Sequence, residues 1–178
     1  MSLQSPLHAV ARPGSAEPVA HEPPAAALAH RDVAVADVLD DAHQAVAVRM
    51  ACRQLRFHVV NKAGAARVAG SRRLLADALV SLLENALAAC LQGDYVELAA
   101  CVDADAVRIA VRDTGCGIPR ALQARLFDTS FDAAGGGKGL GLALVRSVAE
   151  THGGAIAASS APGRGSEFAL YLPLVSGE

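Results

Sequence analysis

Four short segments in the second half of the chain constrain its fold more than any other feature. In order, they are SLLENALAA from Ser81, DTGCGIP from Asp113, GKGLGL from Gly137 and GRGSEFALYLP from Gly163. Three of them contain glycines, which allow positive φ or a close approach of the backbone. Each segment alone is weak evidence, and their order within residues 81–173 carries the information.

Length and composition predict one soluble domain with a tail. The chain has 178 residues, no Trp, few aromatic residues and a net charge of -2, which argues against nucleic-acid binding. It contains no apolar run of the roughly 20 residues that a membrane-spanning helix needs, and its start lacks a signal-peptide pattern. The four cysteines, Cys52, Cys90, Cys101 and Cys116, form no CxxC pair, so we expect reduced cytoplasmic thiols.

Residues 1–32 are predicted to be a flexible tail or linker. They contain five of the eight prolines and half of the histidines, without a sustained apolar period. The folded domain is predicted to occupy residues 33–178.

Two amphipathic helices are expected in the first half of this domain. The first places Val38, Ala42, Val46 and Cys52 near one face, and RFHVV after it predicts a strand. The second begins at Ser71, a plausible N-cap, and has an apolar stripe of Leu75, Leu79, Leu82 and Ala86. Its opposite face, which could line a site, contains Asp77, Ser81, Glu84, Asn85 and Ala88.

The strand pattern that follows directs a carboxylate into the interior. YVELAACV and AVRIAVRD flank a tight DADA turn and predict a hairpin in which Val107, Ile109, Val111 and Asp113 share one face. An inward carboxylate is costly unless it is hydrogen-bonded. Either a ligand donates to Asp113, or Asp113 caps its own loop and the nearby glycines supply positive φ.

The remaining elements complete an α+β sandwich with helices on one face of the sheet. A short helix from Pro119 to about Phe127 precedes the Gly-rich segment, and a helix from about Leu140 to His152 is stopped by two glycines. Strands AIAASS and SEFALYLP finish the chain. Glycines before a helix N-terminus make an anion site plausible, although a Gly-rich run is also typical of a mobile linker.

In this order the four segments resemble the nucleotide-binding boxes of the GHKL ATPase superfamily. The closest resemblance is to the catalytic ATP-binding domain of bacterial sensor histidine kinases, and it covers about Val33 to Pro173. It implies a two-layer α/β sandwich of the Bergerat type with a mixed sheet. It also implies ATP and Mg²⁺ as cofactors, an adenine amino group that donates to Asp113, and Mg²⁺ coordination by Asn85.

The resemblance also implies a set of site residues. Asn85 and Lys138 would be catalytic, and Asn85 would bind the metal. Phe127 and Phe131 would anchor a lid over ATP, while Lys138 and Arg125 would contact phosphate. The nucleotide-binding set is Asn85, Asp113, Gly115, Gly117, Ile118, Phe127, Gly137, Gly139, Leu140, Gly141, Leu142 and Ser166.

Two positions depart from the family pattern around Asn85. Ser81 replaces the first Asn of the motif, and Ala88 replaces a basic residue. In hydrolytic relatives a Glu at the Ser81 position activates water, and Glu84 lies about 100° around the helix from Asn85. The pattern therefore favours transfer to a histidine over ATP hydrolysis, and it predicts that Glu84 is a solvated or supporting residue.

The implied partners are a His-containing dimerisation domain, which this chain lacks, and a response regulator. His21 and Glu22 imitate a phosphoacceptor motif, but two prolines follow them. We expect a cytoplasmic, monomeric chain without membrane contact, even if the full-length protein is membrane-anchored. Three alternatives stay open: a serine kinase of the anti-sigma-factor type, a non-catalytic nucleotide-binding module, and a GHKL ATPase.

Overall fold

The computed structural model of the chain describes residues 32–127 and 140–175. Within these ranges the chain forms seven strands and four helices. They are β1 (Asp32–Ala34), α1 (Val35–Cys52), β2 (Arg56–Lys62), β3 (Arg67–Ala69), α2 (Arg72–Ala89), β4 (Tyr95–Asp103), β5 (Ala106–Asp113), α3 (Arg120–Gln123), α4 (Leu140–Thr151), β6 (Ala155–Ser160) and β7 (Ser166–Pro173).

A five-stranded mixed sheet forms one layer, with the strand order β2-β4-β5-β7-β6. The β2 and β4 strands are parallel, and the other neighbouring pairs are antiparallel. The predicted hairpin of β4 and β5 is present. Strands β1 and β3 form a separate two-stranded sheet, which the sequence did not predict because each strand has only three residues.

Helices α1, α2 and α4 cover one face of the five-stranded sheet and enclose the core with it. Alternate residues of the central strands face these helices and are buried, among them Leu98, Ile109 and Leu170. The opposite face is polar, and Arg108 there forms an ion pair with Glu167. The predicted α+β sandwich with helices on one face is therefore confirmed.

Helix α1 corrects one residue of the predicted stripe. Val38, Ala42 and Val46 are buried, whereas Cys52 is exposed and Met50 takes its place in the core. Cys52 lies six residues after Val46, which is about 240° around a helix, whereas a four-residue step returns to nearly the same face. No helix among the described residues combines the length and apolar character needed to cross a membrane.

The other helices begin and end close to the predicted positions. The Ser71 hydroxyl accepts a hydrogen bond from the Leu74 N–H at 3.4 Å and caps α2. Helix α4 ends at Thr151, and Gly153 follows with φ of 69°. The helix expected from Pro119 to about Phe127 is shorter, since only Arg120–Gln123 is α-helical and the backbone after it forms tight three-residue turns.

Candidate functional site

The Asp113 carboxylate lies in the interior at the end of β5, with 4% of the residue exposed. Its Oδ1 accepts a hydrogen bond from the Gly115 N–H at 2.9 Å. Burial raises the pKa of Asp113, and the backbone N–H groups of Gly115 and Ser166 oppose this shift. The loop-capping interaction is therefore real, but a carboxylate has about four acceptor positions and retains capacity for a ligand donor.

Gly115 and Gly117 hold the loop after Asp113 close to neighbouring backbone. A Cβ atom on Gly115 would lie 2.4 Å from the Ala89 carbonyl oxygen at the end of α2. At Gly117, where φ is 67°, it would lie 2.0 Å from the Ala161 carbonyl oxygen. Only glycine fits at either position, because the obstructing atoms belong to rigid main chain.

Ser160, which was not predicted from the sequence, binds the backbone of the Asp113 loop. Its hydroxyl accepts a hydrogen bond from the Ile118 N–H at 2.8 Å and donates to the Gly165 carbonyl at 2.9 Å. The Ser166 hydroxyl lies 3.0 Å from the Ser160 hydroxyl, and Ser166 pairs with Asp113 across the sheet. The Gln123 amide strengthens the link by donating to the carbonyls of Ile118 and Ser160.

Helix α2 lines the site with three residues spaced one turn apart. Ala89 accepts a hydrogen bond from the Cys116 N–H at 3.1 Å, which fixes the Asp113 loop to the end of the helix. Asn85 is one turn earlier and half-buried. Ser81 is another turn earlier, where a Cβ on Gly141 of α4 would lie 2.8 Å from its hydroxyl oxygen. One helix face thus connects the Asp113 loop to the start of α4.

The Asn85 side chain contains a buried polar atom whose hydrogen-bonding capacity is unused. Its Nδ2 atom is shielded from solvent and has no hydrogen-bond partner among the described residues. A buried donor without a partner costs roughly 1–3 kcal/mol, so such an atom needs an explanation in a native fold. An amide placed to meet a bound group is one such explanation.

Glu84 faces away from this line of residues. It accepts a hydrogen bond from Arg49 of α1 at 2.7 Å, and both side chains are nearly half exposed. The exposed Ala88 lies with Glu84, Arg49 and Arg53 in a shallow groove of about 390 Å³ between α1 and α2. The prediction that Glu84 is solvated is confirmed.

The remaining predicted residues divide between the loop, the core and the chain outside the described ranges. Ile118, Phe127 and Leu142 are partly buried against the core, and Arg125 is exposed. Leu140 begins α4, but its side chain is not described. Four residues lie outside the described ranges: Phe131, Gly137, Lys138 and Gly139.

The four cysteines are all free thiols. Cys90 is buried beneath the Asp113 loop, and burial together with the charges of Asp113 and Asp94 raises its pKa to about 11. Among residues 32–127 and 140–175, no cluster of three His, Cys, Asp or Glu side chains is placed to hold a metal ion.

A larger cleft, of about 830 Å³, lies elsewhere, between the first turns of α1 and α2. Its charged side chains are already engaged with one another. Arg72 donates to both carboxylate oxygens of Asp41, at 2.6 and 2.7 Å, and to Asp37 at 3.1 Å. The cleft contains none of the residues predicted to bind nucleotide, but Asp77, which was expected on the site face of α2, lines it and pairs with Arg73. Cleft size alone is therefore a poor guide here.

The topology and the glycine-built loop beside a buried carboxylate define a class: two-layer α/β sandwich domains with a candidate ligand site along one central helix. Residues 70–176 match the family described as histidine kinase-, DNA gyrase B-, and HSP90-like ATPase. The chain belongs to this family. The predicted GHKL resemblance is thereby confirmed.

Two similar proteins are named as a sensor protein and a sensor-like histidine kinase. The chain is 37% identical over 147 residues to the sensor protein DivL of Caulobacter vibrioides, a match that covers 83% of this chain and 19% of DivL. It is 42% identical over 113 residues to the sensor-like histidine kinase SenX3 of Mycobacterium tuberculosis, which covers 60% of this chain and 28% of SenX3. The chain thus spans about a fifth to a quarter of the length of these relatives.

A solved structure agrees with the family match and with the similarity to these two proteins. The mycobacterial sensor histidine kinase MprB superposes with a TM-score of 0.73 at 27% identity, over 82% of this chain and 98% of that one. The chain is therefore a histidine-kinase-type ATPase domain.

Proposed function

We propose that this chain is the ATP-binding catalytic domain of a sensor histidine kinase. It would transfer the γ-phosphoryl group of Mg-ATP to a histidine on a separate dimerisation domain, for relay to a response regulator. The observation that carries the proposal is the line of Ala89, Asn85 and Ser81 along α2. Eight residues of helix span about 12 Å, which suits an elongated ligand with a base at one end and phosphates at the other.

The base would bind at the Asp113 end. The Asp113 carboxylate would accept a hydrogen bond from the adenine amino group, and it is held in place by the Gly115 N–H and by a loop packed against Ala89 and Ala161. Ile118 and Phe127 would add apolar contact around it, and Leu142 of α4 would contact the nucleotide on its phosphate side. Ser166 supports this end through Ser160.

The phosphates would lie toward Asn85 and the start of α4. Free N–H groups at a helix N-terminus attract anions, and Gly137, Gly139, Leu140 and Gly141 would present them without steric obstruction. Lys138 would add a positive charge there. The Asn85 amide oxygen suits a hard cation such as Mg²⁺, which when bound neutralises phosphate charge.

Catalysis in this proposal consists of positioning. The neutral imidazole of the acceptor attacks the γ-phosphorus in line, and ADP leaves with the electrons of the broken P–O bond. An imidazole nitrogen already has its lone pair, so the attack itself needs no general base, and the phosphorylated ring then releases the proton of its other nitrogen to solvent. Hydrolytic relatives have a general-base Glu at the position of Ser81. Transfer to an imidazole does not need this base, so Ser81 is compatible with it.

The same proposal covers the chain organisation. Residues 33–178 would form the catalytic domain and residues 1–32 a linker. The isolated chain would be a cytoplasmic monomer that contacts neither nucleic acid nor membrane.

Phosphotransfer in vitro tests the proposal. The chain is mixed with γ-labelled Mg-ATP and the separately expressed helical domain that contains the acceptor histidine. We expect acid-labile, base-stable label on that domain, and no label when its histidine is replaced by Gln. Lys138→Ala should slow transfer at least tenfold, whereas Lys62→Ala, the matched change on edge strand β2, should not.

Three outcomes would contradict it. Label that survives acid indicates a hydroxyl acceptor and a serine kinase. ATP binding without any transfer indicates a non-catalytic module. Rapid release of inorganic phosphate by the chain alone indicates an ATPase.

A further inference from the structure

His152 is buried at the end of α4, 8% exposed, and has no part in the site described above. Its Nδ1 lies 2.7 Å from the Val148 carbonyl oxygen, and its Nε2 accepts a hydrogen bond from the Ser71 N–H at 3.0 Å. A carbonyl can only accept and an N–H can only donate. The two partners therefore fix a neutral ring with its proton on Nδ1.

The packing around the ring is equally specific. A Cβ on Gly70 would lie 2.0 Å from the imidazole Cδ2 atom, and Gly70 has φ of 146°. The backbone before α2 is thus shaped to admit the ring. Ser71 is the N-cap of α2, so His152 joins the end of α4 to the beginning of α2 across 81 residues of sequence.

The two helices run antiparallel and touch closely at a second point. At the other end of α4, a Cβ on Gly141 would lie 2.8 Å from the Ser81 hydroxyl oxygen. Ser71 to Ser81 spans about 15 Å of α2, and Gly141 to His152 about 16 Å of α4. The His152–Ser71 hydrogen bond at one end and the close approach of Gly141 to Ser81 at the other limit how far α4 can slide along α2.

We propose that His152 is a positioning residue for phosphate binding. Its hydrogen bond to Ser71 sets the axial register of α4 on α2, and the register determines where the first turn of α4, which contains Gly141, stands relative to Asn85. This inference rests on the proposed function, because it concerns the end of the site assigned to the phosphates. The Asp113 loop is held by other contacts and does not depend on this register.

A pair of amide substitutions separates the two hydrogen bonds of the ring. In His152→Gln the side-chain oxygen can reach the Nε2 position and accept from Ser71. In His152→Asn the amide reaches only the Nδ1 position and donates to Val148. Both remove the ring; they differ by one methylene group and in which of the two ring hydrogen bonds they keep, the one to Ser71 or the one to Val148.

Affinity for Mg-ATP and for adenosine is measured for both variants well below their melting temperatures. We expect His152→Asn to bind Mg-ATP about fivefold more weakly, the size of one net hydrogen bond, with adenosine affinity within about twofold of wild type. His152→Gln should recover most of the loss. Parallel losses of ATP and adenosine affinity, or equal behaviour of the two variants, would overturn the inference.

Amide hydrogen exchange supplies a second readout without nucleotide. The Ser71 amide and the first turn of α4 should exchange faster in His152→Asn than in His152→Gln. If wild type fails to bind ATP, the proposed function falls. The role of His152 in the register of α4 on α2 is then tested by amide hydrogen exchange alone. Equal exchange rates in the two variants would contradict that role.

Discussion

The base end and the phosphate end of the candidate site are built in different ways. Around the Asp113 loop, β7, the Ser160 hydroxyl and the Ala89 carbonyl hold the backbone, and Gly117 has no room for a side chain. Around Asn85, the amide nitrogen is buried without a partner among residues 32–127 and 140–175. The first end is complete in the folded chain, whereas the second has a polar group left for a ligand to meet.

This contrast indicates how binding energy is divided. The Asp113 loop is already ordered, so little conformational entropy is lost on binding. Its hydrogen bond to the base therefore contributes fully to the binding free energy. The phosphate end begins with an unsatisfied N–H donor whose cost is recovered only when an acceptor, such as a phosphate oxygen of the ligand, meets it. Substitutions at the two ends should therefore differ in their effects on folding and on binding.

The largest effect is expected from Gly117→Ala. The new Cβ would collide with the Ala161 carbonyl, which belongs to the backbone and cannot move aside cheaply. We expect a loss of more than about 3 kcal/mol in the free energy of unfolding and no measurable ATP binding. Denaturant unfolding and calorimetry would measure these two quantities.

Gly163→Ala is the matched control for this change. Gly163 also has positive φ, at 71°, but no atom lies within 4 Å of its Cβ position. Only the backbone strain of about 1–2 kcal/mol should appear. Equal destabilisation by the two substitutions would show that the tight packing of the Asp113 loop is not what distinguishes it.

Asp113→Asn should weaken ATP binding by at least tenfold, since a hydrogen bond to a charged acceptor contributes about 1.5–3 kcal/mol. Folding should not suffer, because the substitution removes a buried charge. Asp105→Asn, in the exposed β4–β5 turn, is the control for the loss of a carboxylate. Unchanged affinity in Asp113→Asn would exclude this residue as the acceptor for the base.

The pH dependence of stability provides a separate check on Asp113. Burial raises its pKa in the folded state. The stability it contributes is then complete below its unfolded pKa of about 3.9 and is lost as pH rises through the folded pKa. Asn does not titrate, so the melting temperature of Asp113→Asn should rise relative to that of wild type as the pH increases above about 4. A constant difference across this range would contradict the buried, ionisable assignment.

A smaller effect is expected from Ser160→Ala. The change leaves the Ile118 N–H without its partner and removes one of the two hydrogen bonds that the Gly165 carbonyl accepts, which loosens the Asp113 loop. Affinities for ATP and adenosine should fall together, by about threefold to tenfold. Ser159→Ala, on the exposed neighbouring residue of β6, is the control. A loss of affinity for ATP but not for adenosine would place Ser160 at the phosphate end. It would weaken the contrast between the base end and the phosphate end.

The sequence predicted the elements that rest on periodicity and on local turn chemistry. Alternation along β5 correctly placed Asp113 on the buried face, and the Ser71 cap and the α4 stop were found from local residue types. Cys52 was assigned to the core because the stripe was extended beyond the helical period, and Met50 occupies that place.

Contacts between distant segments could not be predicted in this way. Ser160 lies 42 residues from the Ile118 amide that it binds, and His152 lies 81 residues from Ser71. In the sequence, Ser160 looks like the end of a weak strand and His152 like the end of a helix. A polar residue directly before a glycine-built turn was the only available signal, and it does not identify the partner.

The most direct test of the account is ATP titration by calorimetry with and without Mg²⁺, on wild type, Asp113→Asn and Asn85→Ala. Asn61→Ala, on strand β2, is the control for the loss of an amide. We predict Mg²⁺-dependent binding by wild type, a loss in Asp113→Asn that is the same with and without the metal, and a loss in Asn85→Ala that includes the Mg²⁺-dependent part. Full Mg²⁺ dependence in Asn85→Ala, or wild-type affinity in Asp113→Asn, would contradict the division of the site into a base end and a phosphate end.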